Sequence, residues 1–473
     1  MIWHLKEIKI CLELYLGGIP NLIYLREKNM YIDPKVKKSM KTYARASEII
    51  PGKTQLASRR ASSFASGVSP VYAKSSSGAR FIDIDGNTFL DWKNAYGAII
   101  LGHSNPVVNQ AVKTQIDQGS LFTINSDLEV ELAELLIENI PSAEMVRYTK
   151  GGGEACALAA RIARGTTGRD KILFSGYHGW HDWYQAANYL ADPITGGYPV
   201  TGVEPIGVPK SLKGTAIPFA HEDISMVKNL LNQHKNEIAA IFVEPMMSQE
   251  PDKEYLVQLK KLAREHGCIL IFDEVSCGWR IAVGGAQEYI GVTPDMTVLA
   301  KGISNGYAMG AVVGSVAAME PANHMFISSS YWSDNIGLIA SITTINELIN
   351  RNSKEKFKQI GESLIKTINN AIDEVGIAAK VEGVYTYPTL QFMIDDQELS
   401  QNINTLFIQE MAKRGIFTPT SLNATLDHTE KDIEITGVAA AESFRVIMKA
   451  LEGDLDKYLL ADTKKEPFRR IVN

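Results

Sequence analysis

Between residues 171 and 315 the chain returns five times to a short apolar run without polar alternation: "KILFSG", "AAIFVEP", "CILIFDEV", "MTVLAKG" and "AVVGS". Strands of this kind, rich in Val, Ile and Phe, offer no face to water, so they fit only a sheet that is covered on both sides. Helical stretches between them supply the crossovers. The expected fold class is therefore α/β, with a large and mainly parallel sheet.

The flanking sequence reads differently. "RFIDIDGNTFLDW" (residues 80–92) alternates apolar and polar residues around Asp85-Gly86-Asn87, a hairpin signal. Ser126 with Glu129 forms a capping-box pattern ahead of "LEVELAELLIENIP", where Leu128, Leu132, Leu135 and Leu136 share a helical face until Pro141. Beyond the helix-like "LIASITTINELINR", a C-terminal α+β segment contains "HTEKDIE", with Thr429 as N-cap and Asp432 in the first turn. The expected division is an N-terminal lead-in over 1–44, a large α/β domain over 101–340, and a smaller α+β domain formed by 45–100 and 341–473. Recognisable pattern begins only near Arg45 and Met30 offers a start, so residues 1–29 are candidates for a gene-model extension.

In an open α/β sheet, ligands bind beyond the carboxyl ends of the strands. Three charged residues directly follow the buried runs: Glu244 after "AAIFV", Asp273 closing "CILIF", and Lys301 after "MTVLA". An ammonium in an apolar setting costs several kcal/mol or loses its proton, so Lys301 is either at the surface or has its amine in use. Gly151–Gly153 in "TKGGGEACALAARIARG" precede a stretch of strong helix formers and bare the backbone N–H groups of its first turn for an anion. No G-x-x-x-x-G-K-[ST] pattern points to a nucleoside triphosphate. "GYHGWHDWY" crowds Tyr177, His178, Trp180, His181, Trp183 and Tyr184 beyond the strand "KILF", either as core or as a stacking platform for a planar ring. The histidines have no carboxylate or cysteine at metal-ligand spacing, and no metal is expected.

Together these parts describe pyridoxal phosphate. That cofactor needs an amine for a Schiff base, an acid opposite the pyridine nitrogen, an anion site for the phosphate, and an aromatic against the ring. Lys301, Asp273, Gly151–Gly153 and Tyr177 fill these roles.

The same residues carry a resemblance. "DIDGNTFLDW", "ILGHSNPVV", "GGGEACALAARIARGTTGRDKI", "YHGW", "FVEP", "IFDEV" and "AKGISNGYAMGAVVG", in this order and with Lys301 28 positions after Asp273, resemble the class III aminotransferases of the fold-type I pyridoxal-phosphate enzymes, in particular the glutamate-1-semialdehyde aminomutase branch. The similarity runs from about Arg45 to Leu451. It implies amino-group transfer through an internal aldimine on Lys301, with Asp273 as the second catalytic residue. Around the cofactor it implies Gly151, Gly152, Gly153, Tyr177, His178, Glu244 and Val275, and a homodimer that shares its active sites, with Ser330 of "SSSYWSDNIG" on the phosphate from the neighbouring subunit. For the substrate it implies Arg59 on a carboxylate, with Arg60 as the alternative, and Tyr96. The chain departs from the aminomutases in carrying three glycines where they usually have Ser-Gly-Thr, and in its aromatic "GWHDWY". Its substrate need not be glutamate semialdehyde.

Two other activities fit the same residues: an amino-acid racemase or epimerase, and a catalytically silent binding subunit, against which the retained Lys301, Asp273 and Glu244 argue. A net charge of −6 and the absence of a dense basic block speak against a nucleic-acid partner. Lys6, Glu7, Lys9 and Glu13 interrupt the early apolar patches, so neither an export signal nor a membrane span is expected. Cys11, Cys156, Cys268 and Cys277 form no C-x-x-C pair and fit a reducing cytoplasm.

Overall fold

The structure, a computed structural model, describes residues 31–190, 200–201, 204–246, 248–464 and 469–470; the expected N-terminal extension lies outside them. A first helix, α1 (Lys37–Ile49), leads to three strands, β1 (Ala73–Ser77), β2 (Arg80–Asp83) and β3 (Thr88–Asp91). β2 and β3 form the hairpin read from the sequence, with Phe81 opposite Phe89 and their rings stacked at 5.4 Å. Two helices follow, α2 (Pro106–Gln118) and α3 (Leu128–Asn139). Leu132 and Leu136 of α3 are fully buried, as its leucine spacing requires. Its start departs from a full capping box: Ser126 N donates to Glu129 Oε1 at 3.3 Å, while Ser126 Oγ accepts from Leu128 N rather than from Glu129 N.

The large sheet comprises β4 (Met145–Thr149), β5 (Lys171–Ser175), β6 (Ala216–Pro218), β7 (Ile238–Val243), β8 (Ile269–Asp273), β9 (Met296–Leu299) and β10 (Gly310–Gly314), in the order β4-β10-β9-β8-β7-β5-β6. All six residues of β7, all four of β9 and all five of β10 are buried. Successive residues serve opposite faces. Ala240 and Phe242 pack with α4 (Gly152–Thr167), whereas Ile241 and Val243 pack with the layer of α5 (Ile224–Gln233) and α6 (Lys253–His266). The face of α4 turned to the sheet is mostly small: Ala155, Cys156, Ala159, Ala160 and Ala163. Small side chains let the helix lie close to the strands, which brings its N-terminus to their carboxyl ends.

One strand departs from the parallel pattern. β10 runs antiparallel to both neighbours, β9 and β4, because the chain turns straight back after Lys301 instead of crossing over through a helix. A short helix α7 (Gly285–Ile290) precedes β9, and α8 (Asn335–Asn350) follows β10 and packs on α2, α3 and the turn after Lys301.

The C-terminal segment consists of α9 (Ser353–Val375), the antiparallel pair β11 (Ala379–Glu382) and β12 (Thr389–Phe392), α10 (Gln397–Lys413), β13 (Ile416–Phe417) and α11 (Glu430–Glu452). β13 joins the first sheet by pairing in parallel with β3, Ile416 opposite Leu90. N- and C-terminal segments thus share one small four-stranded sheet. α11 opens with a complete capping box, in which Thr429 N donates to Asp432 Oδ2 at 2.9 Å and Asp432 N to Thr429 Oγ1 at 3.3 Å. Thr429→Ala is expected to lower the unfolding free energy by about 1 kcal/mol in urea melts, the usual cost of losing a helix N-cap.

Candidate active site

Asp273 is the last residue of β8 and is 3% exposed. Its Oδ1 accepts from Val275 N at 3.0 Å, and its Oδ2 accepts from His178 Nδ1 at 2.8 Å and from the Cys156 thiol at 3.4 Å. His178 is itself fully buried, stacked at 4.4 Å on Phe242. Burial, reinforced by the charge of Asp273, pushes the Cys156 thiol well above its ordinary range, so it keeps its proton and donates. The three donor atoms lie within 4.8 Å of one another, a spacing a metal could use. A protonated thiol and two hydrogen bonds into one carboxylate oxygen make the cluster a support for Asp273 instead.

Lys301 stands beside this group. Asp273 pairs in register with Val298 on β9, three residues before the lysine. Lys301 has φ +47°, a left-handed conformation that costs a lysine of the order of 1 kcal/mol and persists only where its surroundings hold it. Here the turn between β9 and β10 does so. The Lys301 amine donates to Ser276 Oγ at 2.6 Å.

The glycine turn closes the group from the other side. A Cβ on Gly152 would meet Val275 Cγ1 at 2.8 Å, so the turn lies directly against the residue that follows Asp273 and Glu274. A Cβ on Gly151 would meet nothing within 4 Å, and among the described residues no side-chain hydrogen bond caps α4, so the backbone N–H groups of its first turn are left for a ligand. Gly179, at φ +96°, lies so near this turn that its own Cβ would come within 2.8 Å of Gly153 Cα. Glu244, 5% exposed, accepts from Tyr177 N at 3.0 Å and fixes the start of the His178 loop. These features suit pyridoxal phosphate: an anion cradle at a helix N-terminus, a buried carboxylate, and an amine one strand away.

The aromatic run divides. His178, Trp183 and Tyr184 go into the core around Phe174 and Phe242, Trp180 is 70% exposed, and half-buried Tyr177 contacts Tyr184 edge-on. Ser330 is exposed on a short turn whose neighbour Asp334 pairs with Lys150 at 3.1 Å, just before the glycines. Arg59 and Tyr96 line a cavity of about 500 Å³ whose lining does not include Lys301. Tyr96 belongs to a left-handed turn, Asn94–Gly97, with φ of +48°, +51°, +60° and +85°. Three non-glycine residues in that region are costly. The turn is held by Asn94 N donating to Asp91 Oδ1 at 2.9 Å, by Asn94 Nδ2 on the Asn423 carbonyl, and by the buried Arg280, which donates to the Gly97 and Ile99 carbonyls at 2.9 and 3.1 Å. Ile100 and Leu101 then donate to Asn305 Oδ1, both at 2.9 Å, tying the cavity wall to the turn after Lys301.

Residues 63–423 match the family model described as aminotransferase class-III. The chain belongs to the class-III aminotransferases. These are pyridoxal-phosphate enzymes that move an amino group. The chain is 31% identical to 3-aminobutyryl-CoA aminotransferase of Cloacimonas acidaminovorans, over 88% of this chain and 99% of the relative. It is 33% identical to glutamate-1-semialdehyde 2,1-aminomutase of Archaeoglobus fulgidus, over 86% of this chain and all of the relative. An omega-transaminase structure from Sphaerobacter thermophilus superposes with a TM-score of 0.77 at 26% identity, covering 89% of this chain and 99% of that one.

The sequence reading of this aminotransferase passed over Cys156, Ser276, Glu274 and Arg280. Arg280 had a visible signal, a lone cation between Trp279 and Ile281 in an apolar stretch. Glu274 had one too, a second acid directly after Asp273. Its fully buried carboxylate accepts from Ala286 N, Gln287 N and Gln287 Nε2 at 2.6, 3.1 and 3.0 Å, clasping the start of α7. Burial pushes its pKa up to about 7 despite those donors. A carboxyl raised in the folded state contributes stability that is present below the unfolded value near 4.5 and is lost as pH rises through 7. Between pH 4.5 and 7 the wild type should lose up to about 3 kcal/mol relative to Glu274→Gln, a change read by comparing denaturation curves of the two proteins across that range.

Proposed function

We propose that this aminotransferase carries pyridoxal phosphate on Lys301 and moves an amino group to or from the carbonyl carbon of a small carboxylate-bearing substrate. The observation that carries the reading is the buried Asp273 carboxylate one strand from the Lys301 amine, with the bare first turn of α4 beside both. When bound, pyridoxal phosphate supplies an electron sink for the carbanion that amino transfer requires.

The protein's own groups do the rest. Asp273 keeps a proton on the pyridine nitrogen, and His178 with Cys156 stops its carboxylate from turning away. Backbone N–H groups of Gly152 and Gly153 hold the phosphate, Val275 and Tyr177 confine the ring, and Glu244 sets the loop that carries Tyr177. Lys301 takes a proton from the substrate carbon and returns it, with Ser276 Oγ holding its Nζ in place between turns. Arg59 receives the substrate carboxylate and Tyr96 packs beside it. An amine that can return a proton to a neighbouring atom supports aminotransferase and aminomutase chemistry alike.

The enzyme acts as a homodimer, with Ser330 of the partner subunit on the phosphate. Exposed Leu121, Phe122, Ile124, Phe326 and Tyr331 support an interface near Ser330, since the two segments that carry them are joined where Asn335 N donates to the Ser120 carbonyl at 2.8 Å. A cytoplasmic location fits Cys156, Cys268 and Cys277, which are buried and free of disulfides.

Borohydride treatment followed by peptide mapping should place the pyridoxyl group on Lys301; another lysine would overturn the assignment. Incubation with a panel of amino acids and amino sugars should build up the pyridoxamine form, which a racemase does not accumulate. Asp273→Asn should bind cofactor yet turn over at least about 100-fold more slowly, a loss of about 3 kcal/mol of transition-state stabilisation. Because the glycine turn offers no hydroxyl, Ser330→Ala should weaken cofactor binding roughly tenfold, and dilution into the monomer range, followed by sedimentation, should release cofactor in step with dissociation.

A further inference from the structure

The glycine turn offers a phosphate little beyond its backbone. Gly151, Gly152 and Gly153 carry no side chain that can donate, whereas the peripheral oxygens of a phosphate are strong acceptors. A donor stands beside the turn. A Cβ on Gly153 would meet Trp180 Cδ1 at 3.5 Å and His181 Cδ2 at 3.6 Å, ordinary contact distances, so the edges of an indole and an imidazole border the place where a side chain of residue 153 would lie. In each ring the carbon at that edge is bonded to a nitrogen that can donate, Nε1 of Trp180 and Nε2 of His181.

The His181 Nε2 is buried and, among the described residues, has no hydrogen-bond partner. Buried polar atoms are nearly always paired, and one left single against a ligand cradle points to a ligand atom. The chain also holds this imidazole firmly in place. Gly179 packs on Gly153 two residues before it, and the His181 carbonyl accepts from Tyr184 N at 3.0 Å and Gln185 N at 3.1 Å. Trp183 and Tyr184, directly after it, are anchored in the core. The Trp180 ring stacks on the imidazole, with centres 4.6 Å apart and planes at 28°.

We propose that His181 is a ligand of the cofactor phosphate: its Nε2–H donates to a phosphate oxygen over the glycine turn, and Trp180 steadies the ring in that position. This rests on the pyridoxal-phosphate reading of the site, and it is independent of the substrate.

Pyridoxal, which lacks the phosphate, separates this role from packing. The test is to strip cofactor from the full-length enzyme and titrate it with pyridoxal phosphate and with pyridoxal, following the absorbance of the bound compound. The wild type should prefer pyridoxal phosphate. His181→Phe keeps a ring against Trp180 and removes the donor; it should raise the dissociation constant of pyridoxal phosphate roughly tenfold and change that of pyridoxal less than twofold. His181→Gln, which brings an amide N–H to a similar reach, should retain most of the preference. Gly153→Ser added to His181→Phe puts a hydroxyl over the turn, where a Cβ is tolerated, and should recover most of what was lost. A His181→Phe variant that weakens both compounds equally overturns the proposal and marks His181 as packing, and one that weakens neither overturns it too. A His181-dependent preference in protein that carries no pyridoxyl group on Lys301 would sink the Lys301 assignment and leave this one standing. Wild type that binds no pyridoxal phosphate would overturn both.

Discussion

The structure depends on satisfying one carboxylate, that of Asp273, inside the protein at the end of a buried strand. A buried carboxylate without hydrogen-bond partners is costly. Three donors supply them: the Val275 amide, the His178 imidazole and the Cys156 thiol, each from a different part of the chain. Much of the surrounding architecture serves them. The alanine-rich face of α4 lets Cys156 reach the sheet, Phe242 backs the imidazole, and Gly179 lets the His178 loop lie against the glycine turn. Glu274, next in sequence, uses its own three donors to lock the segment that leaves the strand.

How legible this was in the sequence depends on whether the signal was local. The buried strands, the hairpin at Asp85–Asn87 and the Thr429 cap announce themselves within a few residues, and Glu244, Asp273 and Lys301 stand out because each interrupts or ends an apolar run. The roles of Cys156 and Ser276 were invisible, since a small polar residue in a helix or turn has many uses and only tertiary contact selects one. The reversed direction of β10 was hidden as well: "AVVGS" reads the same in either direction, and only the short connection from Lys301 forbids a helical crossover. The aromatic run was legible as a cluster but not in its division, because packing against Phe174 and Phe242 decides which rings go inside.

The left-handed turn at Asn94–Gly97 was the least foreseeable element. Nothing in "KNAYG" forces three non-glycine residues into that region; carbonyls and side chains from residues 58, 280 and 423 do. Arg280 carries much of this load. Its guanidinium is wholly buried and has no carboxylate partner among the described residues; burial lowers its pKa to about 10, and it compensates by donating to three backbone carbonyls, including that of Ala424. Ionic charge here works as a backbone clamp, so the shape of the cavity wall is set from behind by residues that line none of it.

The reversed strand β10 also dictates when the site can come into being. Gly310 pairs with Thr149, and the close approach of Gly310 to the Gly151 carbonyl places the start of β10 against the glycine turn. A chain emerging from the ribosome exposes β4 and the glycine turn long before their partner has been made. Among the described strands β4 pairs only with β10, so β4 joins the sheet late, in a contact between distant parts of the chain. Any fragment that stops short of Gly314 leaves β9 with one unpaired edge and β4 detached from the sheet. The half-made enzyme is an open β-edge awaiting its last strand.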